Sequence, residues 1–206
     1  TEAWRCAKAL SAKRQEVAAL FAKRVQEELT FLDMPNVTFL VQREEGALSP
    51  SGCDRVQFLI STNPGEPAKP LAKIASGGEL SRVMLALKCV LGDREGTGVM
   101  IFDEVDTGVS GKAAQKIGYR LRRVSRGTQV ICITHSAQIA ALADTHLLVS
   151  KETRDGRAET AVCALGEEQR TYELARIMGG ETITEKLLES ARELRALSSS
   201  DETRLE

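Results

Sequence analysis

The octet VMIFDEVD (99–106) sets two carboxylates, Asp103 and Glu104, directly behind four apolar residues. Four apolar residues in a row read as a buried strand, and the acids fall where that strand ends. In open α/β sheets, ligands bind at the carboxyl ends of the strands. A carboxylate there can hold a Mg²⁺ ion or its waters beside nucleotide phosphates. A second one can orient and deprotonate an attacking water. Adjacent acids also begin ordinary loops, so the pair gains meaning only in company.

Company comes from two other segments. TQVICITH (128–135) repeats the design, with His135 at the end of a second apolar run. A histidine placed there can donate to a γ-phosphate, whereas a capping or core-edge histidine is the plainer alternative. His146 begins a strand and reads as structural. In LAKIASGGELSRVMLALK (71–88), Gly77 and Gly78 lack side-chain bulk, so their N–H groups can approach an oxyanion closely. The helix starting near Glu79 turns its positive dipole end the same way. Ser76 suits an N-cap or a hydroxyl donor. A plain helix start after a loop competes with this reading. Strand-end and helix-start chemistry recurring in three segments favours phosphate.

A nucleotide site also needs its main cradle, G-x-x-x-x-G-K-[ST]. The sequence offers only GVSGKA (108–113), where Ala113 follows the Gly-Lys, the spacing is too short, and the position lies after the acidic strand. The chain therefore carries acids, a histidine and a helix N-terminus without a phosphate loop.

The elements that must position these groups follow from periodicity. Residues 1–33 lack Gly and Pro and repeat apolar positions at Leu10, Val17, Leu20, Phe21, Val25, Leu29 and Leu32, which predicts a helix ended by Pro35. VTFLVQRE (37–44) and DRVQFLIST (54–62) read as strands separated by a turn region around GALSPSG, and residues 63–75 as an extended loop. From Glu79 to Leu91, the residues Leu80, Val83, Met84, Leu87, Val90 and Leu91 share one helical face. The apolar runs 98–102, 128–134, 145–150 and 159–165 alternate with helical segments 111–126 and 137–143, which predicts a parallel sheet buried on both faces. Residues 167–197 read as two helices broken at Gly179-Gly180, with a frayed tail over 198–206.

Composition bounds the rest. At 206 residues, 42% hydrophobic and 28% charged, the chain is that of a globular protein with one good core. Its net charge of −1 neither predicts nor excludes nucleic acid, and the one basic run, RLRRVSR (120–126), reads first as a solvated helix face. Five widely spaced cysteines without a C-x-x-C pair fit a reduced cytoplasmic compartment. There is no run of 18 apolar residues, so no membrane span is expected.

The blocks FLISTNPGEPAKPLAKIASGGELSRVMLALK, IFDEVDTGVSGKAAQKI, VICITHSAQIAALAD and ELARIMGGETITEKLLESARELRAL together resemble the C-terminal lobe of an ABC-type ATPase head. More narrowly, they resemble the RecN family of bacterial SMC-like DNA repair proteins, over nearly the whole chain. The resemblance implies an α/β fold with a mostly parallel sheet flanked by helices, behind a coiled-coil stub. It divides the chain into the end of a coiled-coil arm (1–34), a head lobe (35–197) and the tail (198–206). It also implies roles. Ser76, Gly77, Gly78 and Glu79 would be the signature that contacts the γ-phosphate of ATP on an opposing head. Asp103 would assist Mg²⁺, Glu104 would be the general base, Asp106 the D-loop acid at the dimer seam, and His135 the switch histidine. The departure is THSAQ, where the family pattern has Leu-Pro in place of Ser136-Ala137.

On this resemblance the phosphate loop belongs to an N-terminal Walker A lobe outside these 206 residues, which makes the chain a segment of a longer protein. The implied partners are that lobe, a second head in a homodimer, and DNA, with no membrane and a nucleoid-associated place in the cytoplasm. Two other readings stand beside it. One is a non-catalytic head-dimerisation module that keeps the fold without turnover. The other is a transporter-type ATPase subunit, against which the arm-like helix and the N-P-G-E-P block speak.

Overall fold

The computed structural model describes residues 1–63, 65–73, 76–92, 96–154, 157–180 and 182–200, the side chains of 152–154, 157 and 198–200 excepted. The chain divides into two compact units, Thr1–Gly98 and Val99–Glu206.

The first unit is built on a 30-residue helix, α1 (Glu2–Phe31), whose sequence supplies strong helix formers and no breaker. It stops before Pro35. The Leu32 N–H bonds back to the Glu28 carbonyl, and Asp33 takes a left-handed φ of 65°. An antiparallel hairpin follows, β1 (Thr38–Ser49) and β2 (Gly52–Ser61). The strands run further than the sequence predicts. Gly46–Ser49 belong to β1, and an irregularity between Glu45 and Ser49 absorbs the extra residues, so the turn shrinks to Pro50-Ser51. Gly52 sits at φ 102°, and a Cβ there would meet Leu10 Cδ2 at 3.1 Å, so the turn needs glycine for both conformation and room. The segment expected as a plain loop contains a two-residue strand, β3 (Lys69–Pro70), paired with β2, and a 3₁₀ turn (Leu71–Lys73). Pro64, Ile74 and Ala75 lie outside the described residues.

Helix α1 is fastened to the hairpin at both ends. Near its C-terminus Val25, Leu29 and Leu32 are completely buried, each contributing about 1.5–3 kcal/mol. Phe21, Phe39 and Phe58 meet with ring centroids 5.4–6.1 Å apart, and the Gln26 amide bonds the Val37 carbonyl and the Phe39 N–H. Toward its N-terminus the buried Asp54 carboxylate accepts from Ser11 Oγ and Arg43 Nη1 at 2.8 Å, and from Arg14 Nη1 at 3.1 Å. The Arg43 guanidinium holds that carboxyl below its ordinary range against the opposing effect of burial. Between these anchors Val17 and Leu20 remain exposed.

Helix α2 (Gly77–Leu91) packs against α1. Its burial is wider than one face. Val83 and Leu87 are buried as expected, but so are Leu85, Ala86 and Cys89, while Met84 is exposed.

The second unit opens on β4 (Val99–Phe102) and β5 (Gln129–Cys132), paired in parallel with Ile101 opposite Ile131. Between them α3 (Gly111–Ser125) buries Ala114, Ile117, Tyr119 and Leu121. A single turn, α4 (Ala137–Ala140), follows β5 and packs against α3. The next two strands, β6 (Leu147–Arg154) and β7 (Arg157–Ala164), form an antiparallel hairpin. Helices α5 (Glu167–Gly179) and α6 (Glu185–Ser200) then pack together, joining Leu174, Ala175 and Ala191 with Ala137, Ala140 and Ala141 of the α4 region. Gly180, at φ 79°, takes the left-handed conformation that ends α5. Helix α6 runs into the expected tail as far as Ser200, and residues 201–206 lie outside the described residues.

Among the described residues, parallel pairing is thus confined to β4–β5, the other ladders being antiparallel. The expectation of burial on both faces is overturned. Val99, Ile101, Ile131 and Ile133 share one face and are 47, 67, 42 and 56% exposed, while Phe102 on the other face is buried. Apart from Gln129 the strands are apolar, as central parallel strands are, but only one face is covered. Among the described residues no helix is long and apolar enough to cross a membrane.

His146, just before β6, is partly buried with Arg170 nearby, and burial followed by that positive charge lowers its pKa. The unfolded chain therefore binds the proton more readily, and stability falls as pH drops through about 6.5 toward the lower folded value. Thermal denaturation from pH 8 to pH 5 should show a falling midpoint, and His146→Gln should flatten that slope.

Candidate functional site at the carboxyl ends of the parallel strands

The site residues are set by how β4 ends. Asp103 and Glu104 follow Phe102, and Glu104 has a left-handed φ of 57°. For a residue with a Cβ such a backbone stores on the order of 1 kcal/mol of strain, a cost that concentrates at functional positions. The chain then folds through two successive turns, Thr107 N–H to the Glu104 carbonyl at 3.0 Å and Val109 N–H to the Asp106 carbonyl at 3.2 Å. This geometry sorts the side chains. Asp103 and Glu104 are exposed, and Val105 and Asp106 are buried.

Buried Asp106 turns toward β5. Its Oδ2 accepts from Thr134 Oγ1 at 2.5 Å and from the His135 backbone N–H at 3.1 Å, and lies 3.4 Å from His135 Nδ1. The Thr134 hydroxyl in turn accepts from the Ser136 N–H at 2.9 Å. The end of β5 is held to β4 by Ile133 N–H bonding the Phe102 carbonyl at 2.9 Å. The His135 side chain remains 79% exposed. Burial, and then the charges of Asp106 and Asp103, push the Cys132 thiol up to about 12, so it is a packed neighbour of the acids and no nucleophile at neutral pH.

The structure therefore brings the Asp103–Asp106 turn and His135 to one end of one sheet. Asp106, the expected D-loop acid, faces into its own unit, 1% exposed, with its donors already in place. Thr134 went unnoticed in the sequence because a threonine in a strand is ordinary, and its partner lies 28 residues away. The exposed pair Asp103 and Glu104 can meet water, a cation or an anion-bound metal. Among the described residues no group of three His, Cys, Asp or Glu side chains gathers to hold a metal.

In the first unit, Ser76 caps α2, its Oγ accepting from the Glu79 N–H at 3.4 Å while its carbonyl accepts from the Leu80 N–H at 3.0 Å. The hydroxyl hydrogen is still available to donate. Ser76 and Gly77 are exposed, Gly78 is buried and Glu79 is half-buried. A 15-residue helix with an exposed, side-chain-free start is a competent anion-facing end.

Comparison with known proteins follows the same lines. No family model matches the chain. The sequence is 47% identical over 197 residues to the DNA repair protein RecN of Halalkalibacterium halodurans, covering 93% of this chain and 35% of that protein. The RecN of Bacillus subtilis is 44% identical over 197 residues (88% and 34%), and that of Vibrio cholerae 43% over 187 residues (90% and 34%). The chain spans about a third of the length of these curated relatives, in their C-terminal portion. Among solved structures, the Smc head domain with a coiled coil and joint from Pyrococcus yayanosii superposes with a TM-score of 0.55 at 22% identity, over 81% of this chain and 30% of that one. The Smc head of Pyrococcus furiosus with an extended coiled coil, bound to the C-terminal domain of ScpA, gives 0.52 at 20% identity (81% and 39%). At such identity the likeness shows the fold alone.

Proposed function

Because the chain belongs with the RecN family of DNA repair proteins, matching about a third of their length, we propose that it is the C-terminal lobe of an SMC-like ATPase head acting in DNA double-strand-break repair and recombination. The carrying observation is the sheet end, where two exposed acids follow β4 and an exposed histidine follows its parallel partner β5, in a chain that lacks G-x-x-x-x-G-K-[ST]. Such an inventory completes a nucleotide site whose phosphate loop comes from another lobe.

In this reading Glu104 accepts a proton from the water that attacks the γ-phosphate, Asp103 holds Mg²⁺ through water, and His135 faces the terminal phosphate. The Mg²⁺ ion would neutralise charge on the phosphate oxygens. The α2 start at Ser76, Gly77, Gly78 and Glu79 contacts the ATP of a second head in a homodimer. Residues 1–34 are the end of the coiled-coil arm, in keeping with the exposed Val17 and Leu20. The exposed apolar face of β4–β5 is where the Walker A lobe packs. Bringing broken DNA together is the cellular task, and the five free cysteines suit a reduced cytoplasm around the nucleoid.

Reconstitution tests this. The chain alone should hydrolyse ATP at background rate, and adding the Walker A lobe should raise turnover well above it. Full activity of the chain alone contradicts the split site. An inactive pair of folded, associated lobes favours a non-catalytic head-dimerisation module instead.

A further inference from the structure

We propose that Asp106 and Thr134 are positioning residues that fix the backbone and imidazole of His135, the histidine that the ATPase reading on which this inference rests assigns to the terminal phosphate. The carboxylate is buried, and one oxygen, Oδ2, gathers the Thr134 hydroxyl, the His135 N–H and the neighbourhood of His135 Nδ1. Thr134 passes the constraint on by accepting from the Ser136 N–H, so three consecutive residues beyond β5 are ordered by one acid from the turn beyond β4. Among the described residues, the ring of His135 is largely exposed and its ion-pair partner is Asp106.

The chemistry of the pair sets the ring. A carboxylate only accepts, so drawing the 3.4 Å approach into a hydrogen bond requires the hydrogen on Nδ1 and leaves Nε2 for a ligand. Asp106 thereby links the strand that carries Glu104 to the strand that carries His135. A shift of either strand end is felt at the other.

The test has two readouts. In the 206-residue chain, long-range ¹H–¹⁵N spectra of His135 should show the Nδ1–H form, and Asp106→Asn should move the hydrogen toward Nε2. In the two-lobe protein, Thr134→Val should lower kcat for ATP by about tenfold or more with KM nearly unchanged, the pattern of a lost transition-state interaction. Thr134→Ser, which keeps the hydroxyl, should restore kcat. Should Asp106→Asn fail to fold, the Val/Ser pair at 134 carries the same test in the same spectra. An unaltered His135 spectrum in folded Asp106→Asn overturns the proposal, as does full kcat in Thr134→Val. A shifted spectrum in a two-lobe protein that hydrolyses no ATP upholds the clamp and removes the ATPase reading.

Discussion

Glu104→Gln in the two-lobe protein should lower ATP turnover by about 10²–10⁴-fold, the range over which a positioned general base contributes. Glutamine keeps the shape of the side chain and its exposed place at the end of β4, but an amide cannot take the proton of the attacking water. The left-handed backbone at Glu104 is common to both residues, so the fold should survive, and thermal midpoints of the two proteins should agree within a few degrees. Binding should also survive, because the signature start of α2 and Asp103 are untouched. The variant head should therefore accumulate as an ATP-bound dimer that persists longer than the parent, measurable by size-exclusion chromatography with ATP and Mg²⁺. Turnover above a tenth of the parent rate would remove Glu104 from the role of base. Loss of both turnover and the dimer would mean that Glu104 serves binding.

The sequence announces most elements because their periodicities are strong. Helix α1 has no breaker across 30 residues, β4 is an uninterrupted apolar run, and β5 is apolar after Gln129. Cap chemistry is equally legible, since Ser76 before two glycines can do little but start a helix. What stays hidden depends on distance. The hairpin turn contracts to two residues because β1 accommodates its excess in an irregularity that no local propensity encodes. The burial of Leu85, Ala86 and Cys89 reflects contacts on more than one side of α2, where a single-face reading anticipates Met84.

At the site the same division holds. Asp103, Glu104 and His135 are legible as candidates because acids and a histidine at strand ends stand out against apolar runs. That Asp106 turns inward, and that Thr134 receives it, follows from the reversal at Glu104 and the register of β4 on β5, which only the folded chain displays. Apolar strands also predict burial without saying whose surface supplies it. Val99, Ile101, Ile131 and Ile133 read as core and are found exposed, so their sequence carries information about a neighbour that their own unit does not supply.

That neighbour gives the second large effect. Ile101→Asp should abolish association with the Walker A lobe, or weaken it by at least about 100-fold, while leaving the chain itself folded. Ile101 is 67% exposed and lies opposite Ile131 in the parallel register, so it is central to the uncovered face and contributes little to the interior of its own unit. Fully covering an isoleucine is worth about 1.5–3 kcal/mol. An unpaired carboxylate in its place must also be desolvated, which costs several kcal/mol more. Each 1.4 kcal/mol is tenfold in affinity, so the sum exceeds two orders of magnitude. Ile101→Leu keeps the apolar surface and should bind within a few-fold of the parent, separating hydrophobic contact from any disturbance of β4. Co-purification and titration calorimetry of the two lobes provide the measurement, with the circular dichroism melt of each chain as the folding control. Undiminished binding by a folded Ile101→Asp would place the lobe elsewhere and leave this face to another partner.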